Sequence, residues 1–148
     1  MRWFALLFCA VFLTGCSTFQ TWSGTGILKV LPHYLDEEGQ STDGPTLLHR
    51  DVYQDQLRKN PDLVHGVRYD VNWHGTGELT VRLEIRSTKA GVAPKIIEET
   101  VGGAGAGTRW TKILIDADTY KTFGQPESWR VTLWQGDEQV AEQKSFLW

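Results

Sequence analysis

Hydrophobic and polar positions alternate through the middle of the chain with a period of two, and the rest of the fold is read outward from there. Val67, Tyr69, Val71 and Trp73 alternate with Arg68, Asp70 and Asn72, the pattern of a strand with one face buried and one in water. After His74-Gly75-Thr76-Gly77-Glu78 the alternation resumes. Leu79, Val81, Leu83 and Ile85 then share one face, and Thr80, Arg82, Glu84 and Arg86 the other. A hairpin about His74–Glu78 sets Trp73 against Leu79 and stacks Val71 on Val81, Tyr69 on Leu83 and Val67 on Ile85. The same register opposes Asp70 to Arg82 and Arg68 to Glu84, two complementary pairs. The competing arrangement sends the two strands to different sheets. Charge matching favours the hairpin, which is the expectation here.

Outside this region the signals are shorter. Ile27–Leu31 predicts a first strand and Lys95–Val101 a weaker one. Arg109–Asp116, Trp129–Trp134 and Gln139–Trp148 predict three more, each bounded by turn residues. Asp51–Lys59 reads as a helix: Asp51 can cap it, Gln54 follows three residues later as in a capping box, and Asn60-Pro61 stops it. Its apolar stripe of Val52, Tyr53 and Leu57 is narrow, as in a short helix laid across a sheet edge. Asp116–Phe123 allows one helical turn before Gly124-Gln125-Pro126. The polar run Asp36–Pro45 is a loop, and Gly102-Gly103-Ala104-Gly105-Ala106-Gly107 is expected as a flexible hairpin loop. Seven short strands with one helix describe an all-β antiparallel β-sandwich. It is similar in architecture to an immunoglobulin or fibronectin III-like module with one short helical insertion, a likeness that implies no function.

The first residues have a different character. Arg2 precedes an apolar run from Trp3 to Leu13 that ends at Leu13-Thr14-Gly15-Cys16. Such a segment is a secretory signal, too short to remain as a spanning helix. With cysteine directly after Leu-Thr-Gly it resembles the lipobox of bacterial lipoproteins. The resemblance covers the first 16 residues and implies that residues 1–15 are removed and that Cys16 carries the lipid. Residues 16–26 then form a lipidated tether and 27–148 the sandwich domain. Cys9 goes with the signal, so no disulfide is possible in the mature domain and its stability must come from its core. Seven Trp, four Tyr and six Phe in 148 residues suit that requirement. The formal net charge of −3 has no basic block within it, which argues against a nucleic-acid partner.

Catalytic and metal chemistry find little support. The glycine run opens a strand at Thr108-Arg109-Trp110 rather than a helix, and no Lys-Ser/Thr follows it, so it is not a phosphate loop. His65 and His74 flank a strand and lie roughly 30 Å apart at about 3.3 Å per residue, while His33 and His49 have no ligand spacing. Asp116 and Asp118 could pair two carboxylates but read more simply as helix caps. No cofactor or metal and no enzymatic activity are expected. Trp73, Trp110 and Trp129 are expected in the core or at its rim. Trp134 falls on the opposite parity from Trp129, Val131 and Leu133, which makes it a candidate for an exposed binding surface. The reading is therefore a lipoprotein anchored in the cell envelope, on the periplasmic face of an outer membrane. It touches membrane lipid through acylated Cys16 and acts as a non-enzymatic module for another envelope protein. The alternative is a carbohydrate- or peptidoglycan-binding module using exposed aromatics.

Overall fold

In the computed structural model, which describes residues 24–148, the two alternating segments belong to different sheets. The elements in order are β1 (Gly26–Leu35), α1 (Leu47–Lys59), β2 (Gly66–His74), β3 (Glu78–Ser87), β4 (Lys95–Gly102), β5 (Arg109–Ile115), α2 (Ala117–Phe123), β6 (Pro126–Gln135) and β7 (Glu138–Lys144). Sheet A has the order β1-β2-β5 and sheet B the order β4-β3-β6-β7. Every pairing is antiparallel. This is an all-β sandwich with its longer helix inserted after the first strand. Where the sequence predicted a single helix and one turn, the second is the two-turn α2.

The hairpin between β2 and β3 does not form. Tyr69 pairs with Pro32 and Ile113, and Leu83 pairs with Ile97 and Val131. The two alternating faces instead meet across the core. Val67, Tyr69, Val71 and Trp73 are at most 2 % exposed, and Leu79, Val81, Leu83 and Ile85 at most 1 %. In a hairpin these eight side chains would share one face of one sheet and still require a second sheet to cover them. Crossing lets each set cover the other. The expected charge partners also part. Arg68 pairs with Asp70 on its own strand, Arg82 with Glu98, and Glu84 with Arg130. Exposed pairs contribute only tenths of a kcal/mol, too little to set a register against the core.

The glycine run is likewise no hairpin turn. It carries the chain from β4 in sheet B to β5 in sheet A, and it is fastened to the β2–β3 link. The Ala104 N–H donates to the Gly75 carbonyl at 2.8 Å. A Cβ on Gly103 would fall 2.6 Å from the backbone nitrogen of Gly77, so the glycine there permits two inter-sheet links to touch.

Helix α1 begins four residues earlier than the sequence suggested, with Thr46 rather than Asp51 accepting the capping bond from the His49 N–H. Asn60-Pro61 ends it as expected, in a 3-10 turn over Pro61–Leu63. β1 runs four residues beyond its predicted end at Leu31, because Pro32, His33, Tyr34 and Leu35 remain paired with Tyr69, Arg68, Val67 and Gly66 of β2. β7 stops at Lys144 instead of reaching Trp148. Cys16 and residues 17–23 of the tether lie outside the described residues, among which no helix is long and apolar enough to cross a membrane.

The core assignment predicts a sharp contrast between two leucines. Leu83→Ala should lower unfolding free energy by about 2–5 kcal/mol. Leu114→Ala, at a position 55 % exposed, should change it by less than about 0.5 kcal/mol. Urea denaturation of both variants followed by tryptophan emission checks this.

Candidate binding surfaces

The outer face of sheet B is built by the polar positions of its strands. Thr80 sits opposite Trp134, Arg82 opposite Thr132, and Glu84 opposite Arg130. Arg130 bonds Glu84 at 2.7 Å and approaches Glu142 at 3.7 Å, a separation that Lys144 also keeps from Glu142. Trp134 does face outward, as its parity predicted, but it is half-buried. The Arg82 guanidinium lies 4.4 Å from its ring centroid, and its indole N–H donates to Thr132 Oγ1 at 2.9 Å. The side chain stacked on it comes from the neighbouring strand of its own sheet. Trp148 is stacked in the same way, 3.9 Å from Arg86 and 5.0 Å from Arg130. Cation and ring satisfy each other on this face.

Sheet A is more open. Register sets its outer rows as Lys29–Asn72–Trp110, then Leu31–Asp70–Lys112, then His33–Arg68–Leu114. Arg68 grips Asp70 bidentately at 2.8 and 3.0 Å, and His33 Nε2 stands 3.5 Å from the same carboxylate. Burial holds the His33 imidazole below its ordinary pKa, and the nearby Asp70 offsets this only in part. The three aromatics expected to pack divide here. Trp73 is core, its N–H donating to Thr111 Oγ1, and Trp129 is half-buried edge-on to Tyr69. Trp110 is 52 % exposed on β5, an edge strand.

Helix α1 presents a reversed pattern. Its buried positions are Gln54 and Leu57. Leu47, Leu48 and Val52 are 70 %, 72 % and 49 % exposed. The reason lies in the edge of β1. Tyr34 turns its backbone N–H and C=O away from β2, and the Gln54 amide meets both at 2.8 Å while also donating to the Ser41 carbonyl at 2.9 Å. One side chain thus serves as a short partner strand, and it fixes which side of the helix faces inward. The Tyr53 hydroxyl donates to Asp36 at 2.5 Å, a bond that pushes its pKa up to about 12. With that side anchored, Leu48 and Val52 share the free face at helical spacing. The sequence reading placed Val52 in the buried stripe and left Leu47 and Leu48 out of the helix; the buried glutamine was the missing signal.

Other candidates are accounted for locally. Asp116 caps α2 by accepting from the Thr119 N–H at 2.8 Å, which holds its carboxyl below the usual range. His49 meets Thr46 at the start of α1. No group of three or more His, Cys, Asp or Glu side chains is placed to hold a metal among the described residues. Comparison with protein-family models, with curated proteins and with solved structures finds no match.

If Gln54 holds the helix through the β1 edge, replacing it by an apolar residue of similar size should weaken the fold. Gln54→Leu should cost about 1–3 kcal/mol, because it strands three backbone groups, the Tyr34 N–H and the Tyr34 and Ser41 carbonyls. Val52→Gln should be nearly neutral. Chemical denaturation of the pair tests the reversal, and a stabilised Gln54→Leu protein would contradict it.

Proposed function

We propose that the protein is an envelope lipoprotein, acylated at Cys16 and held at the periplasmic face of an outer membrane, whose sandwich domain is a non-enzymatic protein-binding module. Leu13-Thr14-Gly15-Cys16 supports the anchor, and Ser17-Thr18 supports the outer membrane, since no aspartate follows the cysteine as an inner-membrane retention signal. Residues 17–25 then separate the lipid from the first strand.

The observation that carries the binding reading is the exposed aliphatic face of α1. Leu47, Leu48 and Val52 remain in water on a helix whose other side is hydrogen-bonded to a strand edge. A contiguous apolar face on an otherwise anchored helix is what a groove in a partner protein recognises. The glycan-binding alternative depends on Trp134 as a stacking platform, and Arg82 already occupies one side of that ring.

Two measurements test the proposal. Cys16→Ser should abolish incorporation of labelled palmitate and leave the precursor uncleaved; equal labelling of both proteins would refute the anchor. A photoactivatable crosslinker at Leu48 should capture a discrete envelope protein that is lost on Leu47→Ser with Val52→Ser. The same crosslinker at Thr80 should not capture it. Capture from both positions alike, or unaffected by the substitutions, would refute the helix as the contact.

A further inference from the structure

The outer face of sheet A is chemically graded from one end to the other. At the end where the chain leaves towards residue 23, Lys29 and Trp110 share a cross-strand row, and Lys112 stands in the next row. Trp110 is 52 % exposed, and both lysines are exposed. Neither lysine enters an ion pair among the described residues, and the acid nearest in register, Asp70, is held by Arg68 at 2.8 Å. At the opposite end of the same sheet acids predominate: Glu37 and Glu38 follow β1, and Asp116 and Asp118 follow β5, with His65 and Leu114 exposed among them. Lys112 stands between the two ends and also borders the cavity that Asp36, Glu37 and Asp116 line.

The chain's exit lies beside this basic, aromatic end. Gly24 and Thr25 line one cavity together with Gly105–Thr108, and that loop runs directly into Arg109 and Trp110. If Cys16 is lipidated, eight residue steps connect it to Gly24, a reach of roughly 30 Å at full extension. The patch is therefore within touch of the surface that holds the lipid. The remaining acids of this end, Glu78, Asp137 and Glu138, all belong to sheet B or to its β6–β7 turn. An anionic surface repels that corner and draws the domain over on to sheet A.

We infer that Trp110, Lys29 and Lys112 form a docking face for anionic phospholipid headgroups, so that the domain leans on its membrane by one face rather than swinging on its tether. The inference rests on the lipid-anchor reading. The indole sits at headgroup depth with its ring against the acyl boundary, as interfacial tryptophans do. The lysines neutralise phosphates around it, each strengthening the contact several-fold and falling off within a Debye length. The sheet turns its acidic end and α1, with Leu47, Leu48 and Val52, away from this contact.

The test uses the mature acylated protein, purified from membranes and reconstituted into vesicles whose phospholipid tails are brominated near the headgroup. In vesicles of phosphatidylethanolamine and phosphatidylglycerol, part of the tryptophan emission should be quenched. That part should be lost in Trp110→Phe and reduced about tenfold or more, as a partition constant, in Lys29→Glu with Lys112→Glu. It should vanish in phosphatidylcholine vesicles. Matched thermal midpoints confirm that the variants are folded, as expected at exposed positions. Quenching unchanged by Trp110→Phe, or indifferent to phosphatidylglycerol, overturns the inference, and so does a patch found covered by another protein and unquenched in vesicles. Mass spectrometry separates this from the anchor. If the protein carries no acyl group, the anchor reading fails. The patch is then judged by flotation of the unacylated protein with anionic vesicles, which the two lysine substitutions should abolish.

Discussion

The three residues Gly75-Thr76-Gly77 constrain everything else in this molecule, because they move the chain from one sheet to the other between its two most regular strands. Sheets in a sandwich lie about 10 Å apart, a gap that this short link crosses while bending at Thr76 and Gly77. Once β2 and β3 are separated, their apolar faces have no option but each other. Each must then recruit flanking strands within its own sheet: β1 and β5 beside β2, β4 and β6 beside β3. The second inter-sheet link, through Gly103 and Ala104, closes against the first. Because the two crossings touch, the end of the sandwich from which the N-terminal segment leaves is built of backbone packed on backbone.

That arrangement decides which polar groups are used up and which remain. In sheet B, Arg82 pairs with Glu98 and Arg130 with Glu84 across adjacent strands, and Arg82 and Arg86 also stack on Trp134 and Trp148. Sheet A has only three strands. Its central charges, Arg68 and Asp70, pair along the same strand, which leaves the lysines of the edge strands facing solvent. The free edge of β1 is closed by the Gln54 amide, and the helix that supplies it must turn its aliphatics outward. Both exposed features, the lysine–tryptophan end of sheet A and the aliphatic face of α1, follow from how strand edges and charges are satisfied elsewhere.

The strands were legible because burial on one face imposes a period of two, and that period is local. β3 follows it most closely, while β2 departs from it at buried Asn72 and β6 at buried Ser128 and Thr132. Their partners were not legible. Arg68, Asp70, Arg82 and Glu84 alternate in sign, so they are complementary in several registers, and surface pairs are too weak to choose between them. Helix α1 was half legible. Asn60-Pro61 stops it whatever the tertiary setting, but its start depends on Thr46 and its facing on a glutamine that bonds a strand distant in sequence. Trp134 was correctly turned outward by parity, while the Arg82 that covers it comes from another strand. Trp110 was misplaced because being at a strand end does not reveal that β5 is an edge. Seven strands and a sandwich could be read; the open surfaces could not.

The crossing of β2 to β3 is the claim on which this division of surfaces stands, and cross-strand nuclear Overhauser effects in isotopically labelled protein test it most directly. The account predicts backbone contacts linking β2 to β1 and β5, with Tyr69 near Ile113, and linking β3 to β4 and β6, with Leu83 near Val131. Backbone contacts between Tyr69 and Leu83, with Val71 against Val81, would instead mark a hairpin and contradict it.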